Sequence, residues 1–87
     1  MPIRLSDLQY GQDAAVTTVE DTLVPDPIAT RLRDLGFVPG EQIRIVARGP
    51  IGADPLLIQI GFTRFALRRS EAARVLVEPT LQAEEIR

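Results

Sequence analysis

The stretch from Asp26 to Gly40 admits one helix and specifies both of its ends, which leaves the rest of the chain to short strands. Asp26 can accept hydrogen bonds from the first free N–H groups of a helix. Pro27 suits the first helical position, where its missing N–H is not needed. Ile28, Leu32 and Leu35 recur at i, i+4 and i+7, giving one apolar face with Arg31 and Asp34 turned to solvent. Gly36 supplies the left-handed residue that commonly ends a helix, and Phe37 can fold back onto Leu32. Val38-Pro39-Gly40-Glu41 then places Pro and Gly at the two central positions of a type II turn. The pattern predicts a helix over about residues 27–35, followed by a sharp exit into a strand.

Elsewhere the period is two. Residues 14–20 are rich in β-branched side chains and read as the first strand. Residues 42–48 alternate, with Ile43, Ile45 and Ala47 on one face and Arg44 and Arg48 on the other. Residues 21–27 and 49–55 are dense in breakers and read as loops. Leu56, Ile58 and Ile60 share a face of the next strand, and Gly61-Phe62-Thr63-Arg64 reads as a hairpin turn. Beyond it Phe65 and Leu67 point one way, and Arg64, Ala66 and Arg68 the other. Single helical turns are expected at residues 5–8, with Ser6 as cap and Gly11 as stop, and at residues 70–73, with Ser70 as cap. Val75 and Val77 mark a last strand. The expectation is a mainly β chain of about five strands and one inserted helix, closed into a small barrel that hides its edges. Residues 1–79 form a single domain in this reading, and residues 80–87 a polar tail.

Composition excludes more than it proposes. With 87 residues the chain buries only about 60% of its unfolded surface, enough for one modest core. It contains no Cys and no His, which removes disulfides, thiolate chemistry, the commonest metal ligand and the commonest general base. There is no Lys and no Gly-rich phosphate loop, so no catalytic, cofactor-binding or metal-binding residue is expected, and the chain does not read as an enzyme. Glu20-Asp21, Asp26 and Glu84-Glu85 could hold a divalent ion only weakly. A net charge of −2 and a pI near 5.0 argue against nucleic-acid binding. Arg44, Arg48, Arg64 and Arg68 fall on outward strand positions, as a solvated face or as a landing site for an acidic partner. No run of residues is long and apolar enough to span a membrane, and the N-terminus lacks the apolar core of a signal peptide. The expected location is the cytoplasm, with membrane association only through a partner.

The run Arg31-Leu32-x-x-Leu35-Gly36-Phe37-x-Pro39-Gly40 resembles the signature of the FeoA family. Pro50, Asp54-Pro55, Ala66-Leu67-Arg68 and Glu71-Ala72 follow in that family's order, so the resemblance covers nearly the whole folded part. In this chain Ala53 separates Gly52 from Asp54, which the family usually joins directly. The resemblance implies an SH3-like barrel with a helical insertion after the first strand. It further implies a non-enzymatic accessory of bacterial ferrous-iron uptake that contacts the cytoplasmic region of the FeoB transporter, whose N-terminal domain binds GTP. The candidate partner-binding residues are Arg31, Leu35, Phe37, Pro39, Pro50, Asp54 and Pro55. Leu35 and Phe37 qualify as anchors where they are exposed. Self-association stays open. The alternative is an SH3-like regulatory domain related to that of iron-dependent repressors, which would need a helix-turn-helix that one helix does not supply.

Overall fold

The computed structural model describes residues 1–52 and 54–80. Helix α1 (Pro27–Leu35) forms as its ends dictate. Asp26 caps it, its Oδ1 accepting from the N–H groups of Ile28 at 3.0 Å and Ala29 at 3.1 Å. At the other end Gly36 adopts φ 115°, its N–H donates to the Arg33 carbonyl, and the Phe37 N–H donates to that of Leu32. Those two bonds are the paired closure of a Schellman stop. The following turn is closed by the Glu41 N–H on the Val38 carbonyl at 3.1 Å, with Gly40 at φ 93°.

Around this helix run six strands: β1 (Ile3–Arg4), β2 (Asp13–Val19), β3 (Gln42–Ile51), β4 (Asp54–Ile60), β5 (Thr63–Leu67) and β6 (Val75–Pro79). A 3₁₀ turn covers Leu5–Asp7, and a one-turn helix α2 covers Arg69–Ala72. The strands form one antiparallel sheet in the order β1-β6-β2-β3-β4-β5. The register shifts between Val16 and Thr18, between Ile45 and Ala47, and between Arg48 and Ile51. Such irregularities bend the strands and increase their twist. The core gathers Leu5, Leu32, Phe37, Ile45, Leu56, Ile58, Leu67, Val75 and Val77, all buried. α1 contributes Ala29 and Leu32 to it, with Ile28 and Leu35 packed at its margin.

Four local expectations are corrected. Strand β1, two residues paired with Val77 and Leu76, is too short to leave an alternating signature. Residues 49–55 are largely strand rather than loop, because β3 runs on to Ile51 and β4 begins at Asp54. The helical turns near residues 5 and 70 have Arg4 and Arg68 rather than Ser6 and Ser70 at their N-cap positions, with no capping hydrogen bond from either side chain, and the Arg68 N–H donates to Glu71 Oε1 at 2.9 Å. Ala47 leaves the line of Ile43 and Ile45, because the shift after Ile45 sets it opposite Leu57. The expected tail beyond Thr80 lies outside the described residues.

Candidate functional site

The structure divides the candidate contact residues into two groups. Phe37 is wholly buried, its ring tilted at 50° against Phe65 with centroids 6.3 Å apart. It is a core residue and offers no surface to a partner. Leu35 is half-buried against the same core, and Pro39 is exposed in the turn. The turn itself is fastened to the sheet, since the Gly40 N–H donates to Val16 O and the Val16 N–H to Glu41 O, both at 2.8 Å. The helix exit therefore has a structural account in its stop, its turn and the burial of Phe37.

Arg31, Pro50, Asp54 and Pro55 come together elsewhere. Pro55 is the junction of three adjoining depressions. One, of about 320 Å³, is lined by Ala47, Arg48, Gly49, Pro50, Pro55, Leu57 and Ala66. The next, of about 480 Å³, lies between α1 (Ile28, Arg31), Pro55, Ala66 of β5, Arg68 after it and α2 (Ser70, Glu71). A smaller one is bounded by Asp54, Pro55 and Arg68. Asp54 Oδ1 accepts from the Arg69 N–H at 2.9 Å, tying the β3–β4 hairpin to α2. Arg31 stands 3.6 Å from Glu71, tying α1 to α2. The result is a shallow face built from five elements, β3, β4, β5, α1 and α2.

The sheet explains why its floor is apolar. Leu56 and Ile58 point into the core, so Leu57 between them points out, opposite Ala47 on β3 and Ala66 on β5. One step along the same face runs a polar row. Arg44 sits opposite Gln59, and Gln59 opposite Arg64, with Asp13 beside Arg44. Arg44 Nε meets Asp13 Oδ1 at 2.6 Å, and Arg64 Nε donates to Gln59 Oε1 at 3.2 Å. The sequence alone marked Ala66 as outward, but Leu57 went unremarked. Its signal was available as an apolar side chain at the outward parity of an alternating strand.

Elsewhere three acidic residues help to hold the fold. Glu20 pairs with Arg4 at 2.8 Å, Asp21 with Arg33 at 3.1 Å, and Asp26 with Arg74 at 3.0 Å. The Thr22 N–H on Asp26, together with the Ala29 N–H, the Arg74 guanidinium and the Thr22 hydroxyl, outweighs burial and holds that carboxyl well below the usual carboxylate range. Among the described residues no group of three or more Asp or Glu converges as a metal site would require. No helix of the described residues is long and apolar enough to cross a membrane. This surface has an apolar floor, with the guanidinium groups of Arg31, Arg48 and Arg68 and the carboxylates of Asp54 and Glu71 around it.

A single antiparallel sheet of six strands with a helix inserted between the second and third defines the chain as an SH3-like domain. The FeoA domain model matches residues 3–79. The chain belongs to the FeoA family, whose members are accessory proteins of ferrous-iron transport. It is similar to the structure of FeoA from Stenotrophomonas maltophilia in complex with zinc, with 56% identity, a TM-score of 0.81 and coverage of 87% of this chain and 89% of that one. That protein is described as a prokaryotic SH3 domain protein and a candidate activating factor of ferrous-iron transport. Iron(II) transport protein A from Clostridium thermocellum is 36% identical with a TM-score of 0.78, over 90% of this chain and 46% of that one. The repressor IdeR from T. acidophilum shares the fold alone, at 18% identity and a TM-score of 0.74, over 91% of this chain and 34% of that one. Among curated proteins none matches the chain significantly.

Proposed function

We propose that this protein is a non-enzymatic cytoplasmic accessory of ferrous-iron uptake that works by touching the cytoplasmic region of the FeoB transporter. The observation that carries the reading is the outward apolar row of Ala47, Leu57 and Ala66, continued by Pro55, on a chain that has neither His nor Cys. An apolar strip left on the surface of so small a domain marks a place for a partner. Membership in the family supplies the process, and the transporter is the partner that process offers. Contact alone can regulate. A module that binds one conformation of the transporter's GTP-binding region more tightly than another shifts the balance between them, whereas equal binding shifts nothing.

Calorimetric titration of the protein into the FeoB cytoplasmic region, with a GTP analogue, with GDP and without nucleotide, tests this. Binding whose affinity changes with nucleotide is the expected result. The absence of binding to that region and to the full-length transporter, in every nucleotide state, would overturn the reading.

A further inference from the structure

Of the nine arginines among the described residues, five are ion-paired: Arg4, Arg31, Arg33, Arg44 and Arg74. The four without a carboxylate partner among the described residues are Arg48, Arg64, Arg68 and Arg69. They are not scattered. Arg48 borders the apolar row on β3, Arg64 lies one row along from it on β5, and Arg68 and Arg69 follow the end of β5. Among the described residues of a protein with net charge −2, the guanidinium groups without a carboxylate partner thus lie around its partly buried apolar row.

We infer that this strip receives an extended peptide segment of the partner that presents on one face two apolar side chains bordered on either side by carboxylates. The row Ala47–Leu57–Ala66 crosses three neighbouring strands, a span of about 10 Å, which accommodates two side chains from one face of an extended chain. Guanidinium groups on both flanks match the carboxylates that such a segment carries, and a planar guanidinium can grip a carboxylate through two hydrogen bonds. A nucleic acid suits the strip less well, since its floor has no aromatic ring on which a base could stack.

The inference refines the contact surface of the function proposed above, but it can be tested without the transporter. The probes are the acetylated, amidated heptapeptide Glu-Ser-Val-Ser-Val-Ser-Glu, its counterpart with Lys in place of each Glu, and a short oligothymidylate, each titrated into ¹⁵N-labelled protein and followed by NMR. The acidic peptide is expected to shift the amides of Ala47, Leu57, Ala66 and Arg68, to weaken as salt is raised, and to exceed the basic peptide. The Arg48→Glu, Arg64→Glu, Arg68→Glu triple variant should bind it roughly tenfold more weakly, because three exposed pairs each contribute a factor of a few. These side chains hold no ion pair of the fold, so the melting temperature of the variant should stay close to that of the parent. No shift with the acidic peptide, equal shifts with both peptides, stronger binding of the oligonucleotide, or shifts that depend on protein concentration alone would each overturn the inference. If the acidic peptide binds the strip and the transporter does not bind at all, the inference stands and the proposed partner falls.

Discussion

Asp26 shows at a single residue how this chain uses charge. Five donors converge on its carboxylate: the N–H groups of Ile28, Ala29 and Thr22, the Thr22 hydroxyl and the Arg74 Nε. The side chain therefore starts α1, closes the loop before it and anchors the residue that leads into β6. The Asp-Pro pair makes the cap legible in sequence, because the chemistry lies within three residues. Arg74, 48 positions away, is invisible there, since only the closed fold brings it near. Phe37 shows the converse: its place after Gly36 reads correctly as a helix stop, but whether the ring faces the core or a partner depends on Phe65, which no local rule supplies. A pH dependence follows from Asp26. Its folded-state pKa is depressed, so its contribution is complete above the ordinary Asp value of about 4 and is lost as pH falls through the lower folded-state value. In Asp26→Asn the amide would aim N–H groups at the Thr22 N–H and at the Arg74 guanidinium. The variant should melt at a lower temperature than the parent at neutral pH, and the gap should narrow as the solution is acidified below about pH 4. Melting curves that stay parallel across the acid range would show that the carboxylate's charge does not matter.

The β3–β4 hairpin is the element that local reading misjudged, and it is the one that positions the proposed contact face. Two glycines and two prolines within residues 49–55 predict a loop by every local rule. The ladder overrides them: Ile51 still pairs with Asp54, so the chain stays extended almost to the turn. The helix survived translation from sequence to structure because its caps and periodicity are contained within it. The hairpin did not, because its pairing is decided across strands. The same cross-strand logic hid the apolar row, which exists only once Ala47 is shifted opposite Leu57. Gly49 is where the hairpin is tightest. A Cβ there would overlap the Asp54 carbonyl and come within 2.8 Å of the Pro55 nitrogen. Gly52, at φ 62°, would place a Cβ in open space, so its only demand is backbone conformation. Gly49→Ala should therefore cost about 1–3 kcal/mol as an overpacking change. Gly52→Ala should cost about 1 kcal/mol. Denaturant unfolding of the two variants checks the order, and a neutral Gly49→Ala would mean the hairpin arms can separate freely.

At the scale of the whole molecule, the sheet order ties the two ends of the described chain together. β6 lies between β1 and β2, so the last strand to be made supplies the partner for the first and the second. Its ladder with β2 runs from Ala14 opposite Pro79 to Val19 opposite Val75, and its ladder with β1 joins Ile3 to Val77. Val75 and Val77 are fully buried, and burying each is worth about 1.5–3 kcal/mol. A domain of this size is stable by only about 5–10 kcal/mol, so the two side chains alone account for a large part of the margin. Removing the strand would also free the β2 backbone along its length and leave β1 with no neighbour. A chain ended after Arg74 should thus be unfolded as a whole rather than missing one strand. Its amide NMR spectrum should collapse to the narrow dispersion of a disordered chain, and its melting curve should lose its cooperative step. The contact face would vanish with it, although no residue of that face lies in β6, because Leu57 and Ala66 are held outward only while Leu56, Ile58 and Leu67 have a core to enter. A truncated chain that kept a dispersed spectrum and still bound the acidic peptide would show instead that β2 to β5 and α1 form a self-sufficient unit.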